Sequence, residues 1–93
     1  MMRFQLVIAI IVWGTALYAQ PEEGVALNNQ AVSLMESGNY AEALVYLDKL
    51  TATDENNYIY RYNKAVSLFN LKRYSEAIKE YKYLHELDRK SVV

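Results

Sequence analysis

The hexapeptide NQAVSL at residues 29–34 returns as NKAVSL at residues 63–68. The flanks repeat with it, at the same offset. With residues 24–57 set against 58–91 and no gap, 10 of 34 positions are identical. They are Asn29/Asn63, Ala31/Ala65, Val32/Val66, Ser33/Ser67, Leu34/Leu68, Tyr40/Tyr74, Glu42/Glu76, Ala43/Ala77, Leu50/Leu84 and Asp54/Asp88. Val25/Ile59, Met35/Phe69 and Leu44/Ile78 are conservative pairs. A gapless match over a whole period marks one duplicated structural unit. Units of this size cannot bury an apolar face alone, so each must stack on its neighbour.

Each unit reads as two helices. Residues 26–35 hold no Gly or Pro, and Leu27, Ala31 and Leu34 recur at helical spacing. Ser37-Gly38-Asn39 ends that helix, with Gly38 supplying the permissive backbone of a helix end. Ala43, Leu47 and Leu50 form the stripe of a second helix. In the second unit Ala65 and Leu68 line the first helix, and Ala77, Ile78, Tyr81 and Leu84 the second. The polar connector TATDENN, residues 51–57, offers Asp54, Asn56 or Asn57 as a cap for the next helix. No stretch sustains the alternation a strand requires.

This pattern resembles the tetratricopeptide repeat family. The family's repeat is about 34 residues long, and its signature runs W-x2-L-G-x2-Y, A-x3-F, then P. Ala31 and Ala65 take the small-residue slot where paired helices approach, with Leu34 and Leu68 three positions on. Ala43 and Ala77 match the second-helix alanine, and Leu47 and Tyr81 the aromatic after it. GNYAEAL and KRYSEAI look like the family's helix-turn-helix junction. The departures are Leu27 and Arg61 in the tryptophan slot, Gln30 and Lys64 in the leucine slot, and Glu55 and Arg89 in the proline slot. The resemblance implies an all-α fold: antiparallel helix-turn-helix pairs stacked as a short right-handed α-solenoid. The repeats are 24–57 and 58–91, behind a linker at 20–23.

The resemblance also implies a mechanism, in which the first helices line a concave groove that binds a peptide or helix of a protein partner. The matching positions are Val25, Asn28, Val32, Met35 and Glu36 in the first unit. In the second they are Ile59, Tyr62, Val66, Phe69 and Asn70. Spacing near i, i+3, i+7, i+10 lets one helical face present each set. Some relatives clamp a C-terminal carboxylate with lysines, asparagines and an arginine. Asn63 matches one asparagine, but Asn28 and Val32 stand where a lysine and another asparagine are wanted, so that subtype is rejected. Tyr58 and Tyr62 share a helical face and Tyr60 points away, which favours packing over a sugar-stacking platform.

Catalysis finds no support. His85 is alone and there is no cysteine, so neither a nucleophile pair nor a metal site has its company. Glu22-Glu23 and Asp54-Glu55 are read as loop residues. Glu76 and Glu80 share a face flanked by Lys79 and Lys82, an ordinary solvated surface. No cofactor is implied. After residue 19 the chain carries 9 Lys+Arg and 11 Asp+Glu, net −2, which gives no basic patch for nucleic acid.

The ends differ from the repeats. Arg3 is the only charge before Glu22, and residues 6–17 are apolar but for Gly14 and Thr15. With Tyr18-Ala19-Gln20 after them, they read as a secretory signal peptide over 1–19, cut after Ala19. The ending resembles signals of Gram-negative bacteria, so export to the periplasm is expected. The alternative is an inner-membrane anchor over residues 4–19, which at a rise of about 1.5 Å per residue spans about 24 Å of a ~30 Å core. At the other end, DRKSVV back-translates with a stop as GAT-CGG-AAG-AGC-GTC-GTG-TAG, which looks like a short-read sequencing adapter. Residues 88–93 are therefore read as a non-native tail, although Asp88 fits the repeat. On that reading the chain is an N-terminal fragment of a longer protein with an apolar end for a third unit. Two functions follow: an exported protein-binding scaffold, or the docking or sensing domain of a larger signalling protein or enzyme.

Overall fold

The computed structural model describes residues 21–91, with side chains from 22 to 90. The signal segment assigned to 1–19 and the last two residues of the tail lie outside the described residues. Among the described residues four helices follow one another: α1 Pro21–Glu36, α2 Tyr40–Thr53, α3 Tyr58–Asn70 and α4 Tyr74–Ser91. Among the described residues there is no strand. No helix of the described residues is long and apolar enough to cross a membrane.

The first helix is already formed at Pro21, the first described residue, ahead of Ala26 where the apolar spacing places it. Residues 21–23, read as linker, form its opening turn. The cause is local chemistry. Proline fits the first helical position because the amide hydrogen it lacks would be unpaired there. Glu22 and Glu23 then place negative charge at the positive end of the helix dipole.

The two helix-turn-helix junctions are built alike, one repeat apart. In the first, Asn39 N–H donates to Leu34 O (2.7 Å) and Gly38 N–H to Met35 O (3.0 Å). In the second, Arg73 N–H donates to Leu68 O (2.9 Å) and Lys72 N–H to Phe69 O (3.0 Å). Both turns need one residue in the left-handed region. Gly38 supplies it at φ 83°, and Lys72 is forced into it at φ 63°. A left-handed backbone costs an L-residue with a β-carbon roughly 1–2 kcal/mol, and glycine loses about 0.5–1 kcal/mol of that advantage to chain entropy. Lys72→Gly is therefore expected to stabilise the chain by about 0.5–1 kcal/mol in urea unfolding followed by circular dichroism. A loss of stability would show that the turn is not strained.

The connector between units is capped by Asn57, whose Oδ1 accepts from Tyr60 N–H at 3.2 Å. Asn57 Nδ2 in turn donates to Asp54 Oδ2 (3.1 Å), so the loop carries its own brace.

Each helix packs on the next, and α3 also touches α1. The first core cluster is Ala31, Ala43, Leu47 and Leu50, with Leu27, Leu34, Met35, Tyr46 and Tyr60 packed around it. The second is Leu44, Leu68 and Ala77, with Leu71 against it. Tyr60 of the second unit sits on the first unit's core, and Leu68 meets Leu44 across the join. The units thus share one interior. Ser33 and Ser67 show the same thing: they are repeat-equivalent, yet Ser33 is exposed and Ser67 is fully buried, because among the described residues α3 packs on α1, α2 and α4, whereas α1 packs on α2 and touches α3.

Two residues expected in the core are outside it. Ile78 and Tyr81 are 51% and 38% exposed. Their repeat equivalents Leu44 and Leu47 are buried. Periodicity gave the face correctly, but nothing among the described residues lies over α4 as α3 lies over α2.

Candidate partner-binding surface

The groove positions divide by depth. Val25, Glu36, Ile59, Tyr62, Phe69 and Asn70 are exposed; Asn28, Val32, Met35, Asn63 and Val66 are half-buried. Met35 spends its side chain on the first core cluster. Asn63 Nδ2 donates to Asn28 Oδ1 at 3.0 Å, a bond between the two units that brings the faces of α1 and α3 together. Each amide keeps further hydrogen-bonding capacity. Asn70 Nδ2 donates to Val66 O (2.8 Å), so it is held back along its own helix.

Aromatic rings dominate the α3 side. Tyr58 and Tyr62 stack with centroids 6.4 Å apart and planes at 9°. Phe69 meets Tyr74 edge to face at 5.3 Å. Tyr74, at the start of α4, is a neighbour of the groove residues that the sequence reading did not assign to them. The signal available was its place just past the turn, within reach of Phe69. Large exposed rings locked against each other offer contact area with little rotamer entropy left to lose. Partial burial, and then the nearby Tyr62 phenol, push the Tyr81 hydroxyl above its ordinary value.

A second group of side chains fills the junction of α2, α3 and α4. Arg61 Nη1 donates to Glu80 Oε2 at 2.9 Å, and both side chains are largely buried. Lys64 Nζ reaches Asp48 at 3.1 Å and Glu80 at 3.5 Å. Arg61 Nε donates to Glu55 O (2.6 Å), and its guanidinium lies 3.9 Å over the Tyr83 ring. Tyr83 Oη donates to Asn56 Oδ1 (2.6 Å). Arg61 and Lys64 are the residues in the tryptophan and leucine slots of the second unit, so the departures from the repeat pattern are accommodated as one ion-pair network. Glu80, read as plain surface, is its centre. At the surface beside it Arg73 forks onto Glu76 (2.7 and 3.0 Å). That hydrogen bond is the main reason that the Glu76 carboxyl is held below, and the Arg73 guanidinium above, its ordinary value.

His85 is exposed, and among the described residues no three His, Asp or Glu side chains converge. Glu22 and Glu23 lie on the first turn of α1 rather than in a loop. Asp54 and Glu55 do lie in the connector.

Two helix-turn-helix pairs that share a core, with contact between their first helices, make an all-helical module consistent with a helical repeat. The tetratricopeptide repeat profile matches residues 28–91, most of the chain, and the chain belongs to that family. No curated protein and no solved structure matches it.

Proposed function

We propose that this chain is an exported interaction scaffold that binds a peptide or helix of a partner protein along the joined faces of α1 and α3. The observation that carries this reading is the exposure of Val25, Ile59, Tyr62 and Phe69 beside the Asn28–Asn63 bond. Apolar side chains of this size on one face mark a contact surface, and aromatic anchors tend to carry most of the binding energy. Family membership supports a protein partner. No chemistry is assigned to the chain itself.

Peptides selected from a random display library on the full chain provide the test. Tyr62→Ala and Phe69→Ala should each weaken the selected peptides by about tenfold or more, since a central aromatic contributes ~2 kcal/mol. Val45→Ala, at an exposed position on α2, should leave affinity unchanged. Equal affinity for all three variants would place binding elsewhere. Export rests on the leader, and mass spectrometry of the protein made in a Gram-negative host should find a mature start at Gln20; an intact Met1 would favour the anchor.

A further inference from the structure

The free charges along α1 and α3 are of one sign. α1 carries Glu22, Glu23 and Glu36 and no Lys or Arg. α3 carries Arg61 and Lys64 and no acid, and both cations are engaged by Glu80 of α4 and Asp48 of α2. Two of the three carboxylates have a local reason. Glu22 and Glu23 sit in the first turn of α1, where the helix dipole favours them, and Glu23 shares a recess with Lys49. Glu36 has no such reason. It is the last residue of α1, where the dipole disfavours a negative charge, and no basic residue in that turn offsets it. It is exposed and makes no ion pair among the described residues. Lys72, the exposed cation in the turn after α3, forms no ion pair with it. Its repeat equivalent Asn70 is neutral and tied to Val66 O at 2.8 Å, so the repeat itself needs no acid here. Glu36 also completes a line. Glu22, Val25, Asn29, Val32 and Glu36 recur at i, i+3, i+7, i+10 and i+14, so one side of α1 holds two valines with a carboxylate at each end. The equivalent line on α3, Ile59, Asn63, Val66 and Asn70, has no charge.

We propose that the segment bound by the α1–α3 face is basic and extended. It sets one Lys or Arg against Glu36 and a second against Glu22, with apolar residues between them. The two carboxylates are 14 residues apart on α1. That is about 21 Å along the helix, at a rise of about 1.5 Å per residue. An extended chain covers the distance in about six residues. Extended backbone also brings unpaired N–H and C=O groups, and the Asn28–Asn63 pair keeps donors and acceptors for them, whereas a helix has none to offer along its length. An acidic segment would meet only like charge on α1, so the carboxylates select as well as bind. This inference rests on the groove reading and adds to it the charge and the spacing of the partner.

Peptides selected from a random display library on the full chain should hold more Lys and Arg than Asp and Glu, with two basic residues about six apart. Selection repeated on Glu36→Lys should shift the yield towards acidic sequences. That substitution puts a cation where the helix dipole favours one, so folding is not at risk. Fluorescence anisotropy at low salt should show the basic peptides weakened about threefold to fivefold by Glu36→Gln or by Glu22→Gln, the size of an exposed ion pair. High salt should close the gap. Glu42→Gln, at an exposed position on α2, should change nothing. Neutral or acidic peptides that still lose affinity with Tyr62→Ala and Phe69→Ala would overturn this inference and leave the groove standing. So would equal yields from the parent and Glu36→Lys. No selected peptides, or peptides indifferent to Tyr62→Ala and Phe69→Ala, would remove the groove reading and this inference together.

Discussion

Leu68→Ala should remove most of the stability of this protein, at about 3–4 kcal/mol. Leucine-to-alanine changes at sealed positions cost roughly 2–5 kcal/mol, the spread depending on how far the site can collapse. Leu68 is 1% exposed and stands between Leu44 of the first unit and Ala77 of the second. The cavity would open at the join, where α3 is fixed from both sides and cannot follow. A single core of this size supplies on the order of 3–5 kcal/mol in all, so the variant should be largely unfolded at 25 °C. Urea unfolding followed by far-UV circular dichroism measures it. Ile78→Ala is the matched control: also an aliphatic truncation, but on an open face, and expected within about 0.5 kcal/mol of the parent. A Leu68→Ala cost under about 1 kcal/mol, or equal costs for both, would mean that the two units do not share an interior.

That contrast also marks what the sequence could and could not tell. The duplication gave four helices, their pairing and eight of the nine buried apolar positions, because repeat identity reports which residues face a common core. It missed Leu44 as a core residue and put Ile78 and Tyr81 inside. The reason is geometric: a helical stripe fixes which way a side chain points, but a neighbouring helix decides whether that direction is covered. Lys72 was legible only as part of a family-like junction; its left-handed backbone follows from its equivalence to Gly38, which the alignment contained. The positions proposed for a groove came from the family resemblance rather than from the residues themselves; the structure sorts them by depth, with Met35 taken into the core and Asn28 tied to Asn63. The Arg61–Glu80 network was not legible at all, since a pair on different helices, set by how those helices cross, leaves no periodic trace.

That network yields the second large effect. Glu80→Gln should destabilise the chain by about 1–3 kcal/mol. The full cost of orphaning one member of a buried ion pair is about 3–5 kcal/mol, reduced here because the side chains retain 13–14% exposure. Glutamine keeps the shape and removes the charge that Arg61 and Lys64 both face, leaving two half-buried cations with Asp48, the Glu55 carbonyl and the Tyr83 ring for support. Replacing the pair together is a different perturbation. Arg61→Leu with Glu80→Leu gives the second unit the residue that the first unit already has at that slot, Leu27, which packs on its core. Lys64 keeps Asp48 in that variant. The double change should return to within about 1 kcal/mol of the parent, the lost guanidinium–Tyr83 contact being worth ~0.5–1 kcal/mol. A double-mutant cycle on these two positions should therefore show a coupling of at least about 1 kcal/mol. Additive single costs would mean that the network is ordinary surface charge. Strong coupling would mean that Arg61 and Glu80 act as one unit inside the second helix pair, with Lys64 linking that unit to Asp48 of the first.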